Sequence, residues 1–278
     1  MSQQREYEFT TKQFKGFQKL IMEHTSIVIS DEKEELIYGR LTRRLRKLNL
    51  NNFNDYYDLI VNGDNEELEQ FINVVTTNLT FFFRESHHFD YLKSTVVPKL
   101  LKQNAASKKL RIWSAGCSTG EEPYSIAMTL MESIPDINTW DIKILATDID
   151  SDVLAKASTG VYRDDRIEGL SDATVKQWFK RGKGQQEGFV RVAPELQSLI
   201  SFKQLNLLKD WPVKGPFDVL FCRNVVIYFD KPTQKILFEK FASVLPAHGQ
   251  MFIGHSENLF KISEDFELLG QTIYKKCA

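Results

Sequence analysis

The stretch from Arg111 to Asp150 limits the possible folds more than any other part of the chain. Arg111-Ile112-Trp113 runs into a loop of small residues, Ser114-Ala115-Gly116-Cys117-Ser118-Thr119-Gly120, followed by Glu121-Glu122-Pro123. A second apolar run, Ile142 to Ala146, then ends in Thr147-Asp148-Ile149-Asp150. Strand, glycine loop, helix start and a next strand closing on an acid is how a parallel α/β sheet builds a nucleoside pocket. Glycine lets the backbone approach the ligand, and the acidic side chain accepts hydrogen bonds from ribose hydroxyls. A dinucleotide fits poorly, because its pyrophosphate needs the bare positive end of a helix, and Glu121 and Glu122 occupy that first turn. Gly-x-Gly-x-x-Gly is also absent, and Asp148 lies 32 residues after Gly116, beyond the roughly 20 of a nicotinamide dinucleotide fold. A ligand with adenosine, a sulfonium and an α-ammonium, S-adenosylmethionine, suits the acidic rim instead. In the plainer account the glycines only make a turn and the carboxylates complement the helix dipole, worth about 0.3–1 kcal/mol. That account leaves the coincidence with Asp148 unexplained.

Up to about residue 105 the chain carries helical periodicity and no convincing strand pairs. Phe14, Phe17, Leu20 and Ile21 make one apolar face; Leu36, Ile37, Leu41, Leu45 and Leu48 make another, entered through an Asp31-x-x-Glu34 capping box. Phe53, Tyr56, Tyr57 and Ile60 form a third stripe stopped at Gly63, and Leu68, Phe71, Ile72 and Val75 a fourth. From Leu110 onward strands alternate with helices: Arg111 to Trp113, a helix from Pro123, Ile142 to Ala146, a helix near Asp152 to Ala157, then strands at Leu199 to Lys203, Phe217 to Cys222 and Gln250 to Gly254, with a helix at Thr233 to Val244. The alternation predicts an α/β doubly wound, Rossmann-like sheet with right-handed crossovers behind an all-α amino-terminal domain. Between them Arg181-Gly182-Lys183-Gly184-Gln185-Gln186-Glu187-Gly188-Phe189-Val190-Arg191-Val192 reads as an inserted antiparallel hairpin. The expected units are residues 1–90 with a connecting helix to about 107, the sheet domain over 108–278, and the insert over 160–195.

Composition narrows the setting. Hydrophobic content of 42% and charged content of 26% fit an ordinary globular protein, and Met1-Ser2-Gln3-Gln4-Arg5-Glu6 has no signal-peptide apolar region, so a cytoplasmic protein is expected. Three cysteines, Cys117, Cys222 and Cys277, lack metal or disulfide spacing, so neither is expected. A net charge of −1 predicts no global affinity for nucleic acid. Locally, Arg40, Arg43, Arg44 and Lys47 fall on one helix face opposite the leucines, either a solvated face or a docking surface for an acidic helix or RNA phosphates. Thr76-Thr77-Asn78-Leu79-Thr80-Phe81-Phe82-Phe83-Arg84 surrounds an aromatic run at the domain junction, where clefts form. Arg223, Asn224 and Tyr228 follow a central strand at its carboxyl end, where α/β ligands sit, and the Asn-Pro-Pro-Tyr of base amino methylation is missing. One rival remains: Gly116-Cys117-Ser118-Thr119-Gly120 matches Gly-x-Ser-x-Gly, with Asp218 or Asp230 and then His255 in serine-hydrolase order. Against it, Glu121 and Glu122 disfavour an oxyanion beside Ser118, and no oxyanion loop is present.

Taken in order, Thr77 to Arg84, Ser114 to Ser125, Thr147 to Asp150, Phe221 to Asp230 and Gly254-His255-Ser256-Glu257-Asn258 resemble the motifs of the CheR-type chemoreceptor glutamate methyltransferases over nearly the whole chain. The resemblance implies a class I methyltransferase sheet and transfer of methyl from S-adenosylmethionine to receptor glutamates, forming methyl esters and S-adenosylhomocysteine. It implies that Asn78, Thr80, Arg84, Glu122, Asp148, Asn206, Leu207, Arg223 and Asn224 line the donor site, with Glu122 favoured over Glu121, and that Arg84 and Tyr228 lie beside the transferring methyl. It implies that the amino-terminal helices contact the receptor's methylation helices. The hairpin with Gly182, Gly184 and Gly188, flanked by Arg181 and Arg191, is similar to the subdomain that in some members grips a receptor carboxyl-terminal pentapeptide. A monomer without membrane insertion is expected, and a receptor-tail binding module without turnover is the remaining alternative.

Overall fold

The computed structural model describes residues 5–63 and 65–278. In it the amino-terminal stripes become α1 (Thr11–Thr25), α2 (Glu34–Leu48), α3 (Phe53–Asn62) and α4 (Asn65–Val75). Their apolar positions recur at three and four residues, so Phe14, Phe17 and Ile21 meet Leu41, Leu45, Tyr56 and Phe71 in one core. A capping box does start a helix, but α1: the Thr10 hydroxyl accepts from Gln13 N at 3.2 Å while the Gln13 side chain takes Thr10 N at 2.8 Å. The box expected at Asp31-x-x-Glu34 is not formed. A 3₁₀ turn over Asp31–Lys33 leads into α2, which has no side-chain cap, and Asp31 instead pairs with Lys15 at 2.6 Å. Leu36 also departs from the expected core face and is 44% exposed.

Next, α5 (His87–Tyr91), a wide-turn segment Leu92–Val96 and α6 (Val97–Gln103) form the connection to the sheet. The second region comprises β1 (Lys109–Ala115), α7 (Glu121–Ser133), β2 (Asp141–Asp148), α8 (Ser151–Thr159), β3 (Val161–Arg163), α9 (Asp172–Trp178), β4 (Phe179–Arg181), β5 (Phe189–Val192), α10 (Pro194–Ser198), β6 (Ile200–Gln204), β7 (Val219–Cys222), α11 (Lys231–Val244), β8 (Gln250–Ile253), β9 (Phe266–Gly270) and β10 (Ile273–Lys276). The large sheet has the order β6-β2-β1-β7-β8-β10-β9. From β6 to β8 it is parallel, and β10 runs antiparallel to both β8 and β9. That antiparallel edge carries no clean alternation, since Leu268 and Leu269 are adjacent and both exposed. The hairpin read from the glycines is β4 and β5, and β3 adds a third strand on the far side of β5.

Strand β1 pairs with β2 on one side and β7 on the other, and the chain crosses from β6 at the sheet's edge to β7, which reverses the order of winding there. A crevice therefore opens at the carboxyl ends of β1, β2 and β7, where an open α/β sheet receives its ligands. Among the described residues no helix is long and apolar enough to cross a membrane.

Candidate functional site

Gly116 follows β1 with a φ of 85°, and a Cβ there would stand 2.3 Å from Val225 Cγ2, so only glycine lets this loop close against the loop after β7. The turn then points Ser118 N at Asp148 Oδ2 (2.8 Å), while Asp150 N donates to Asp148 Oδ1 at 3.1 Å. Burial nevertheless pushes the Asp148 carboxyl up to about 6, against those two donors. Asp150 faces elsewhere. It caps α8 and accepts from Thr76 Oγ1 (2.8 Å) and Asn78 Nδ2 (2.7 Å), tying the end of the helical region to the sheet.

The two carboxylates that open α7 part company. Glu122 accepts from Ser114 Oγ at 2.7 Å, stands 3.3 Å from Arg223 Nη1 and borders the crevice, and its burial raises its pKa. Glu121 is fully buried on the other side, bonded to Thr119 Oγ1 at 2.6 Å and paired with Arg166. On the facing wall Arg84 Nη1 donates to the Leu79 carbonyl at 2.8 Å, with its guanidinium 5.8 Å over the Phe81 ring. Tyr228 is half-buried, and that burial raises its hydroxyl pKa; Val28 N donates to its carbonyl at 2.8 Å and Lys33 Nζ lies 5.3 Å from its ring. Asn206 bonds the His24 carbonyl at 3.0 Å, closing the helical region over the crevice.

Asn78, Thr80, Arg84, Glu122, Asp148, Asn206, Leu207, Arg223, Asn224 and Tyr228 thus line a single cleft, roofed by Ile27, Val28 and Ile29. Sequence reasoning missed the braces around it. Glu257 accepts from Gly254 N (2.6 Å), Asn224 N (2.9 Å) and Ile227 N (3.2 Å), fixing the loop after β7 with Asn224 at a φ of 58°. Its place in the Gly254-to-Asn258 motif was the available signal. Glu85, Ser114, Asp150 and Arg166 act through partners tens of residues away, which spacing does not reveal, except for Ser114 within its loop.

The cleft offers a buried carboxylate at a strand end for ribose hydroxyls, a second beside the helix start for an ammonium, and a glycine where a Cβ would intrude. That set of acceptors fits S-adenosylmethionine. It does not fit a serine hydrolase: Asp218 takes Arg111 N at 2.8 Å, Asp230 caps α11, His255 Nδ1 lies 3.0 Å from Glu85, and the Ser118 hydroxyl is spent on the Asn78 carbonyl at 3.0 Å.

Two family models match in tandem, the CheR methyltransferase all-alpha domain over residues 12–76 and the CheR methyltransferase SAM-binding domain over residues 78–275. The chain belongs to the CheR methyltransferase family. It is similar to the chemotaxis protein methyltransferase of Escherichia coli K12, 44% identical over 94% of this chain and 89% of that one. Chemotaxis protein methyltransferase 2 of Pseudomonas aeruginosa is 44% identical over 97% of this chain and 95% of its own. The Borreliella burgdorferi chemotaxis protein methyltransferase is 38% identical over 93% and 92%. This CheR-family chain is therefore an S-adenosylmethionine-dependent methyltransferase.

Two of the four residues in the basic stripe are held by partners within the chain. Arg44 is buried and forks onto Glu67, with Nε at 2.8 Å from Oε1, because α2 packs that face on α4. Arg40 is half-buried and donates to the Thr76 carbonyl at 2.7 Å, and burial lowers its pKa. Of the four, Arg43 and Lys47 are exposed, and all four line one shallow cavity that reaches Thr76 and Asn78. In the hairpin, Gly182 N bonds the Phe189 carbonyl at 2.8 Å, and Gly184 and Gly188 take φ values of 59° and 81° in the turn. Arg181 and Arg191 do not share a face: Arg191 pairs across the strands with Lys180, and Arg181 with the buried Val190.

Proposed function

We propose that this methyltransferase esterifies the γ-carboxylate of glutamates on the cytoplasmic helices of chemotaxis receptors, acting as a cytoplasmic monomer. The observation that carries this reading is the charge division of one cleft. Buried Glu122 and Asp148 lie on one side, while on the other Arg84 donates to the Leu79 carbonyl and not to a carboxylate. S-adenosylmethionine supplies an electrophilic methyl group when bound. Glu122 holds the cationic amino end, Asp148 the ribose, and Asn78, Thr80, Asn206, Leu207, Arg223 and Asn224 complete the walls. A glutamate carboxylate with a pKa of about 4.3 is already ionised at neutral pH, so no general base is required. Placement carries the chemistry. Arg84 orients the incoming carboxylate, the Tyr228 hydroxyl fixes its approach, and the Ile27-to-Ile29 roof excludes water.

Arg84→Ala is expected to lower kcat by about 100-fold, the scale of losing one oriented charged donor, and Tyr228→Phe by about 10-fold, the scale of one neutral hydrogen bond, with donor Kd within a few-fold of wild type. Steady-state methylation and calorimetry on the same preparations check this. Unchanged turnover in both variants removes the assigned roles.

Arg43 and Lys47 present the receptor-facing charge, matching the acidic side chains of a methylatable helix. Reversing both to Glu is expected to slow receptor methylation about 10-fold at low ionic strength and flatten its salt dependence. A rate and salt slope equal to wild type reduces them to solvated surface. The three-stranded sheet, with Lys180 and Arg191 on one face, receives the receptor's carboxyl-terminal pentapeptide.

A further inference from the structure

One guanidinium in the wall of the donor cleft stands between two carboxylates. Arg223 Nη1 stands 3.3 Å from Glu122 Oε2, while Nη2 donates to the Arg84 carbonyl and stands 3.3 Å from Glu85 Oε2, which accepts no hydrogen bond. The group is sealed in: the Arg223 side chain is 2% exposed and the Glu85 side chain 10%, with Phe89 5.5 Å beneath the guanidinium. Glu122 borders the cleft, and Glu85 does not.

Glu85 reaches this position through a turn in which Phe83 and Glu85 take φ values of 53° and 55°. Ordinary side chains adopt that backbone only when their surroundings hold them. Here Glu85 Oε1 accepts from His255 N (3.2 Å) and Asn224 Nδ2 (3.4 Å) and lies 3.0 Å from His255 Nδ1, while Oε2 faces Arg223 and lies 3.5 Å from His88 Nδ1. Against the cost of burial, His255 and Arg223 pull the Glu85 carboxyl down to about 2, so it is charged. Burial pushes His88 down to about 4, so it contributes no positive charge at neutral pH.

Charge therefore does not cancel. A one-to-one pair of Arg223 with Glu122 would be neutral, whereas Glu85, Arg223 and ionised Glu122 together carry one net negative charge, with the Arg84 guanidinium on the facing wall of the cleft. In a water-poor site an uncancelled charge acts on a nearby ligand far more strongly than it would in bulk water. We propose that Glu85 is a positioning residue that sets the sign of the donor cleft: by placing a second carboxylate 3.3 Å from the Arg223 guanidinium it leaves Glu122 only partly neutralised. This raises the affinity for S-adenosylmethionine, net charge +1, relative to S-adenosylhomocysteine, net charge zero. The proposal rests on the S-adenosylmethionine reading of the cleft and goes beyond it, because Glu85 never touches the ligand.

The test is calorimetric titration of wild type, Glu85→Gln and Glu85→Asp with each compound separately. For Glu85→Gln the affinity for S-adenosylmethionine is expected to fall by about 10-fold and that for S-adenosylhomocysteine by about threefold or less, the scale of one charge acting through partly screened protein. Glu85→Asp, which keeps the charge on a shorter side chain, is expected to hold the wild-type ratio of the two affinities even if both drop. Equal losses for both compounds in Glu85→Gln make Glu85 a mere brace and overturn the proposal, as do unchanged affinities. Should the Gln variant not fold, a shifted ratio in the Asp variant overturns it as well. A wild-type protein that binds neither compound overturns the cofactor reading itself.

Discussion

Asp148→Asn is expected to weaken S-adenosylmethionine binding by about 10- to 100-fold while the protein still folds. The figure follows from a hydrogen bond to an ionised acceptor, about 1.5–3 kcal/mol, at about 1.4 kcal/mol per tenfold in affinity. Asparagine fills the same volume and retains one acceptor for Ser118 N or Asp150 N, the two backbone donors that now hold the carboxylate. The pH dependence gives the same residue a second signature. Burial raises its pKa to about 6 in the unliganded fold, and a ribose hydroxyl is accepted by the ionised form. Donor affinity of the wild type should therefore be full above that value and decline as pH falls through it, and binding near pH 6 should release protons. Burial raises Glu122 as well, so the decline has the same sign from both groups. Calorimetry from pH 5 to pH 8, in buffers of differing ionisation enthalpy, measures both effects. In Asp148→Asn the decline should be shallower. An Asn variant with wild-type affinity would remove Asp148 from the site.

Arg44→Met is expected to destabilise the protein by about 3–5 kcal/mol, the cost of leaving one member of a buried ion pair without its partner. Glu67 would keep its charge in a site where both side chains are about 10% exposed or less, next to the unpartnered Tyr56 hydroxyl. Arg44→Met combined with Glu67→Leu should recover most of that loss, because paired apolar replacements at buried ion pairs are close to neutral. Denaturant unfolding of wild type, the single variant and the double variant measures the cycle. If Arg44 were instead a receptor contact, the single variant would unfold like wild type and lose only receptor methylation.

That pair also marks where sequence reading stops. Arg40, Arg43, Arg44 and Lys47 are indistinguishable by spacing, since the helical period places all of them on one face. What separates Arg44 is an acid 23 residues away on a packed neighbour, which periodicity does not encode. The helices were legible for the opposite reason: Phe14, Phe17 and Ile21, or Leu41 and Leu45, announce burial through local repetition alone. The strand ends were legible too. Gly116, Asp148 and Asn224 stand where a parallel sheet must open, and the cleft forms there. The antiparallel edge β9 and β10 escaped because its side chains do not alternate between core and solvent. Likewise, Asp31 looked like a helix cap within its own segment, and its ion pair with Lys15 took it elsewhere.

The most direct test of the central claim is to incubate the protein with methyl-labelled S-adenosylmethionine and a chemotaxis receptor cytoplasmic fragment, then treat the receptor with mild base. A carboxylate acceptor in the receptor predicts label on the receptor that base releases as volatile methanol, none with receptor glutamates changed to alanine, and S-adenosylhomocysteine formed in equal amount. Label that survives base, or no transfer by a protein that binds the donor, would contradict it.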